Sequence, residues 1–160
     1  MAVSTVVFDV GETLVDEARV NARWAAEGLP PQPFCDEDLH EDALPCIAAL
    51  RERGLRLGAA GNMRAVHEDF LRRHVDFVGS SERWDAWKPE AGFFERLVEE
   101  AAVPAAEIVY VGDRVDNDVV PALAHGMTAV RVRRGAHADV ESPPGTTSIR
   151  SLEELPGVLL

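Results

Sequence analysis

The chain has 160 residues, a length at which a globular protein ordinarily folds as one domain around one hydrophobic core. Hydrophobic residues make up 46% of it and charged residues 28%, which excludes a disordered or fibrous protein. A formal net charge of -12 disfavours binding to nucleic acid or to an anionic membrane surface. An anionic substrate would therefore need a local cation or a metal ion at its site.

The elements predicted for the first half of the chain alternate between strand and helix. A β-branched run that leads into an acidic residue and a glycine is typical of a buried strand that meets a loop. Prolines end regular structure, and acidic residues favour the start of a helix. In chain order, these elements are a strand over 3–10, a helix over 15–27, a proline cluster at Pro30, Pro31 and Pro33, a helix over 43–53, a strand over 55–60 and a helix over 65–74.

The second half continues the alternation. Its elements are a weak strand over 75–78, a loop over 80–87, a helix over 89–101, a strand over 107–111, a helix over 116–125, a strand over 128–132, a polar surface segment over 135–147 and a short helix near residue 152. Such alternation implies parallel strands joined by right-handed crossovers, with helices on both faces of the sheet. We expect a three-layer, Rossmann-like α/β fold with a mainly parallel sheet, whose site lies at the carboxyl ends of the strands.

The surroundings of the protein are constrained by what the sequence lacks. Its two cysteines, Cys35 and Cys46, form no CxxC motif, and nothing resembling a secretory signal precedes the first strand. No apolar run approaches the roughly 20 residues that a membrane-spanning helix needs. The five histidines show neither HxH nor HExxH spacing, which argues against a zinc site. We expect a cytoplasmic protein without membrane contact.

Four predicted strand ends or adjoining loops carry residues suited to phosphate and metal chemistry. They are Asp9, the Gly61-Asn62 pair, Lys88, and Asp113 with Asp118. The strings FDVGETL, AAGN, WKPEAGFF and VYVGDRVDNDVVPALAHGM resemble, in this order, the four motifs of the haloacid dehalogenase-like (HAD) hydrolase superfamily, whose members are mostly phosphatases. The resemblance covers nearly the whole chain, and the fourth string is its most specific part.

The resemblance implies a role for each matched residue. Asp9 would be the nucleophile that forms an aspartyl-phosphate, which water then hydrolyses. Asp113 would bind Mg²⁺ beside Asp9, because hard cations take oxygen ligands. Asp118 would hold the same cation directly or through a neighbour, and the backbone carbonyl of Gly11 would be a further ligand. Lys88 would neutralise the crowded negative charge.

Other residues carry weaker expectations. Thr13 matches a position that supports the nucleophile loop, although a threonine in a turn often bonds its own backbone. Asp116 is equally well explained as an acidic residue at a helix start, and Asn117 would serve in orientation. The basic cluster of Arg131, Arg133 and Arg134 is interpreted as solvated charge. Of Trp24, Trp84 and Trp87, two are expected to be packing residues.

Two residues depart from the family pattern. Gly11 stands where the family's phosphatases carry a second aspartate, the acid that protonates the leaving oxygen. General acid catalysis contributes about 10²- to 10⁴-fold, so acyl and aryl phosphates should outperform alkyl esters unless Glu12 takes over the role. Gly61 stands where a serine or threonine usually contacts the phosphoryl oxygens, which leaves the backbone amides of Gly61 and Asn62 to bind the anion.

The cap that covers many family members has little room here. Residues 15–40 can hold one helix and a proline loop, as a short cap remnant or insert within a single core domain over 1–160. An open site suits a phosphorylated small molecule or macromolecule, or a homodimer in which the partner subunit supplies the lid. The leading hypothesis is a Mg²⁺-dependent phosphatase. The alternatives are a haloacid dehalogenase-type hydrolase and a non-catalytic binding or regulatory protein.

Overall fold

The computed structural model describes residues 2–28 and 32–159, so Pro30 and Pro31 of the predicted proline cluster lie outside it. The strands of the described residues are β1 (Thr5–Phe8), β2 (Arg56–Gly61), β3 (Phe77–Ser80), β4 (Ile108–Gly112), β5 (Thr128–Val132) and β6 (Thr147–Ile149). They form one sheet in the order β3-β2-β1-β4-β5-β6, and each neighbouring pair is parallel. The expected parallel sheet is confirmed.

The helices pack on both faces of this sheet. They are α1 (Glu17–Glu27), α2 (Ala43–Glu52), α3 (Glu68–Arg72), α4 (Ser81–Trp84), α5 (Ala91–Ala101), α6 (Val120–Ala124) and α7 (Leu155–Val158). Alternate residues of β1 enter different hydrophobic clusters: Val6 and Phe8 lie in one cluster with α2, α3 and α7, and Val7 lies in the other with α5 and α6. This alternation follows from the two-residue period of a strand and confirms the three-layer arrangement.

The central position of β1 places the residue after it at the middle of the sheet edge. β1 pairs with β2 on one side and with β4 on the other, and all four of its residues are buried. Phe8 is level with Ala59 and Val111, so the loops that follow β1, β2 and β4 start at nearly the same height. The carboxyl ends of these strands therefore meet at one place, as the sequence predicts for parallel strands.

Several predicted elements differ in the structure. The segment over 135–147, predicted as a polar surface excursion, leads into the edge strand β6, which the sequence missed because three residues with one buried side chain give no alternating pattern. The predicted loop over 80–87 contains α4, whose first turn is capped by the Ser80 hydroxyl, which accepts a hydrogen bond from the Arg83 amide at 3.2 Å. The predicted helix over 116–125 begins as a π-helical turn, Val115–Val119.

The three tryptophans divide as expected. Trp84 is buried, Trp24 packs partly buried against the cluster on the α2 face, and Trp87 is exposed. Among the described residues, no helix is both long enough and apolar enough to cross a membrane.

The prediction that the basic cluster is solvated charge is wrong for Arg131. Arg131 is fully buried, because its guanidinium donates to the carbonyls of Asp113 (3.3 Å), His137 (2.7 Å) and Val140 and to the Ser142 hydroxyl (2.8 Å). It thereby ties the loop after β4 to the segment between β5 and β6. A planar guanidinium with five donors suits several carbonyl acceptors at once.

We expect Arg131→Met to lower the free energy of unfolding by about 2–4 kcal/mol, because it removes the donor from several buried acceptors. Arg131→Lys should give a smaller loss, since an ammonium retains some of the hydrogen bonds. The exposed Arg150 serves as the control, and Arg150→Met should change stability by less than about 0.5 kcal/mol. Urea unfolding measures all three, and equal losses in the two methionine variants would contradict the assignment.

Candidate active site

Asp9 follows β1 directly and is held in place through both its backbone and its carboxylate. Its amide donates to the carbonyl of Val111 at 2.8 Å, which extends the pairing with β4 by one residue. Its Oδ1 accepts a hydrogen bond from Lys88 Nζ at 2.6 Å, and its Oδ2 accepts one from the Thr13 hydroxyl at 3.2 Å. The side chain is nearly buried, with the residue 6% exposed. The carboxylate is thus fixed in orientation while one edge reaches the cavity described below.

Lys88 bridges two carboxylates at the floor of the site. Its Nζ lies 2.6 Å from Asp9 Oδ1 and 2.6 Å from Asp118 Oδ1, and its side chain is 3% exposed. Burial alone would lower the pKa of Lys88, but the carboxylates of Asp118 and Asp9 outweigh it, so the pKa lies well above its ordinary value. Lys88 is therefore a permanent cation at neutral pH.

Asn62 positions Lys88 through the backbone. The Asn62 side chain accepts a hydrogen bond from the Lys88 amide at 2.8 Å and donates one to the Lys88 carbonyl at 3.0 Å. Because both ends of the amide are used, the Asn62 side chain orients the lysine. The predicted contribution of its backbone amide to substrate binding stays a prediction.

Asp113 and Asp118 complete a buried acidic cluster with Asp9. One carboxylate oxygen from each lies within 4.8 Å of the others. Burial, and then the neighbouring carboxylates, raise the pKa of Asp113. Burial, and then Asp9, also raise the pKa of Asp118, and Lys88 partly opposes this shift. Asp118 Oδ2 additionally accepts a hydrogen bond from the Arg114 amide at 3.0 Å.

The cluster fits a hard divalent cation. Three buried carboxylates face a single buried ammonium, so their ionised forms repel one another unless a further positive charge lies between them. Carboxylate oxygens are also the ligands that Mg²⁺ prefers. Asp9, Asp113 and Asp118 are therefore the residues that would hold it, and the carbonyl of Gly11 as a fourth ligand stays a prediction.

Two glycines leave the space that these carboxylates occupy. A Cβ on Gly112 would lie 2.4 Å from Asp118 Cγ, and a Cβ on Gly61 would lie 3.0 Å from Asp9 Oδ1. Gly112 therefore permits Asp118 to approach the strand end. Gly61 is close to Asp9 but does not line the cavity, and neither does Thr13, which is fully buried.

The acidic cluster opens into a cavity of about 590 Å³. Six of the predicted site residues line it: Asp9, Gly11, Asn62, Lys88, Asp113 and Asp118. Asn117 lines it as well, whereas Asp116 points outward and pairs with Arg114 at 2.7 Å, which favours its interpretation as a helix-start residue. Residues of α1 and of the turn Gly135–His137 form the rim of this cavity. That the site is open stays a prediction.

Sequence reasoning missed part of this rim. Glu17, Asn21, Arg114 and His137 also line the cavity. Arg114 lies within the fourth motif string but carries no predicted role. Glu17, Asn21 and His137 belong to no motif and sit on helix or loop positions, where polar residues are ordinary. For Glu17, partial burial of the carboxyl, followed by the charges of Glu12 and Asp9, raises the pKa. Burial and neighbouring charges are set by the fold, so the sequence alone does not reveal this shift in the pKa of Glu17.

A parallel α/β sheet whose central strand ends in a lysine-bound aspartate, beside two further buried carboxylates, places the candidate site at the carboxyl edge of a Rossmann-like fold. The HAD-hydrolase-like family model matches residues 86–155. Glyceraldehyde 3-phosphate phosphatase of Methanopyrus kandleri is 36% identical over 108 residues, which are 64% of this chain and 46% of that protein. Glyceraldehyde 3-phosphate phosphatase of Methanocaldococcus jannaschii is 34% identical over 116 residues, 68% of this chain and 51% of that protein, so the sequence is similar to HAD-like hydrolases over most of its length.

Solved structures share the fold. A HAD phosphatase from Thermococcus onnurineus superimposes with a TM-score of 0.77 at 21% identity, over 99% of this chain and 98% of that one. The HAD-hydrolase YfnB from Bacillus subtilis, in a crystal form bound to magnesium, gives 0.75 at 16% identity over 99% of each chain. The chain spans about half the length of the curated relatives that it matches.

Asp113→Asn tests whether the acidic cluster is built for a cation. A raised pKa in the folded state means that metal-free stability falls as the pH rises from the ordinary carboxyl value of 3.8 through the folded value. At mildly alkaline pH the variant should therefore be more stable than the metal-free wild type, by more than about 1 kcal/mol. Mg²⁺ should raise the unfolding temperature of the wild type and leave that of the variant nearly unchanged.

Asp116→Asn is the matched control for this substitution, because Asp116 lies three residues after Asp113 in the same motif but outside the cavity. It should keep both the pH dependence and the response to Mg²⁺. Thermal unfolding over a pH series with and without Mg²⁺ measures these effects. An equal response to Mg²⁺ in wild type and Asp113→Asn would show that the cluster is not the cation site.

Proposed function

We propose that this chain is a Mg²⁺-dependent phosphatase that acts through an aspartyl-phosphate on Asp9. The observation that carries the proposal is the position of the Asp9 carboxylate, bound by Lys88 and Thr13 and lining a cavity beside two further buried carboxylates. The phosphatase name of the archaeal relatives supports the same reaction class.

Exposure distinguishes the roles of Asp9 and Asp118, since both oxygens of each carboxylate accept protein hydrogen bonds. Both Asp118 oxygens accept protein hydrogen bonds, from Lys88 and from the Arg114 amide, and the residue is only 1% exposed. Asp9 is more accessible, and it sits at the strand end that faces the cavity. Asp9 is therefore the carboxylate suited to attack phosphorus, and Asp118 is suited to hold Lys88 and the cation in place.

Phosphoryl transfer places negative charge where this site carries its cations. As an Asp9 oxygen bonds to phosphorus, the bond from phosphorus to the leaving oxygen breaks, and water later attacks phosphorus to release inorganic phosphate and free Asp9. Lys88 neutralises the carboxylate and the phosphoryl oxygens that approach it. Mg²⁺, held by Asp9, Asp113 and Asp118, would supply electrostatic stabilisation of the transferred group. The crystal form of YfnB bound to magnesium supports that choice of metal.

The substrate class follows from the dimensions and charge of the cavity. A volume of about 590 Å³ lies within the range of sites for small ligands. A phosphorylated small molecule is thus the substrate we infer first, and a phosphorylated macromolecule is the alternative that the open rim permits. A homodimer whose partner subunit covers the rim stays a prediction.

Asp9→Asn tests the proposal most simply. Wild type and variant are incubated with acetyl phosphate and with p-nitrophenyl phosphate, in Mg²⁺ and in excess chelator, and inorganic phosphate is measured. We expect the variant to lose at least about a thousandfold in kcat, since it lacks the nucleophile. Chelation should abolish wild-type turnover, and Asp116→Asn should retain activity.

The other function classes predict different results, which the same proteins test when a 2-haloacid is added as a third substrate. Halide release from a 2-haloacid in the presence of chelator would identify a dehalogenase. Binding of phosphate without turnover of either phosphorylated substrate would identify a non-catalytic protein. Turnover that survives Asp9→Asn would contradict the role given to this carboxylate.

A further inference from the structure

The space beside Gly11, where the family's phosphatases carry an aspartate side chain, is occupied by the carboxyl group of Glu17. A Cβ built on Gly11 would lie 2.1 Å from Oε1 of Glu17 and 3.1 Å from its Cδ. The Glu17 carboxyl therefore stands where a side chain of residue 11 would begin. Gly11 is not among the described glycines with positive φ, so its backbone does not require glycine. The glycine serves to admit Glu17.

The start of α1 is attached to the nucleophile loop, which fixes Glu17 relative to Asp9. Gly11 and Val15 form a parallel bridge, and the Glu17 amide donates to Glu12 Oε1 at 2.7 Å. Asp16 caps the helix by accepting a hydrogen bond from the Arg19 amide at 3.2 Å. Glu17 is thus the first residue of a helix whose start is held by a bridge and two hydrogen bonds.

Glu17 also lies at the junction of two cavities. Beside the cavity that contains Asp9 is a second one of about 260 Å³, which has an apolar side formed by Val10, Val15, Val20, Trp24, Phe34 and Met63. Gly11, Glu17, Asn21 and Asn62 line both cavities. A phosphate ester with its phosphoryl group at Asp9 and an apolar body in the second cavity would place its bridging oxygen near Glu17.

Glu12, the sequence-based candidate for the missing acid, has another task. Its Oε1 accepts a hydrogen bond from the Glu17 amide, and its Oε2 would lie 2.2 Å from a Cβ built on Gly135. Although Glu12 also lines the larger cavity, its carboxyl is held between the start of α1 and the turn at Gly135. The second cavity is lined by Glu17 and not by Glu12.

We propose that Glu17 is the general acid and base for this site, in place of the family's carboxyl at position 11, and that the second cavity takes an apolar alcohol leaving group. The proposal rests on the phosphatase function proposed above. In the first half-reaction the Glu17 carboxyl gives its proton to the ester oxygen as the bond from that oxygen to phosphorus breaks. In the second half-reaction the Glu17 carboxylate takes a proton from the water that attacks phosphorus, which restores the acid.

Glu17→Gln should show the role through its dependence on the leaving group. An alkyl phosphate needs a proton on its leaving oxygen, so kcat/KM should fall by about 10²- to 10⁴-fold. Acetyl phosphate and p-nitrophenyl phosphate have good leaving groups, so their kcat/KM, which reports formation of the phosphoenzyme, should fall by less than about tenfold. Their kcat should fall together with that of the alkyl ester wherever the shared hydrolysis of the phosphoenzyme limits turnover. Glu12→Gln keeps an acceptor for the Glu17 amide and should leave the ratio between alkyl and aryl esters unchanged.

Moving the carboxyl back to position 11 provides a second test. Glu17→Ala should lose alkyl-ester turnover. The double variant Gly11→Asp/Glu17→Ala should have a kcat/KM for the alkyl ester at least about tenfold above that of Glu17→Ala, because removal of the Glu17 side chain opens space for the new aspartate. Gly11→Asp alone should displace the Glu17 carboxyl, since the new side chain meets the end of the Glu17 side chain. Unfolding temperatures of all variants separate these effects from damage to the fold.

The possible outcomes keep this proposal separate from the proposed function. If wild type hydrolyses all three substrates and Glu17→Gln lowers their kcat/KM values equally, the acid role of Glu17 is overturned while the phosphatase function stands. The same conclusion follows if wild type hydrolyses acetyl phosphate but not alkyl esters. If wild type hydrolyses none of them in Mg²⁺, the proposed function itself fails.

Discussion

The ammonium of Lys88, 2.6 Å from both Asp9 and Asp118, is the interaction on which the rest of the site depends. A buried cation is tolerated only with partners, and here the two carboxylates hold it while it holds them. The surrounding residues serve this pair. Asn62 fixes the lysine backbone, Gly112 makes room for Asp118, and the ring of Tyr110 lies 5.5 Å from the ammonium.

One cation does not balance the charge of this site. Asp9, Asp113 and Asp118 are within 4.8 Å of one another, which raises the pKa of Asp113 and Asp118 through burial and mutual repulsion. Such a cluster lowers the stability of the metal-free fold and is typical of functional sites. Mg²⁺ and a phosphoryl group would enter as a pair of opposite charges. Lys88 and the metal would then be the local cations that a chain with a net charge of -12 needs in order to bind an anion.

The sheet and the central site were predictable because each depends on a local pattern. β-branched runs that end in Asp9 and Asp113 reveal buried parallel strands and the edge at which they end. Glu17 was not predictable, because its role comes from its distance to Gly11 and not from any motif, and an acidic residue at a helix start is ordinary. Arg131 was misinterpreted for a related reason, since its carbonyl partners come from loops that leave no sequence signal.

The phosphoenzyme on Asp9 is the central claim, and trapping it tests that claim most directly. Wild type is mixed with acetyl phosphate and Mg²⁺, quenched in acid within one turnover, digested and measured by mass spectrometry. The account predicts one phosphoryl group on the peptide that contains Asp9, present in wild type and absent from Asp9→Asn. A phosphoryl group on any other residue, or turnover without a covalent phosphoenzyme, would contradict it.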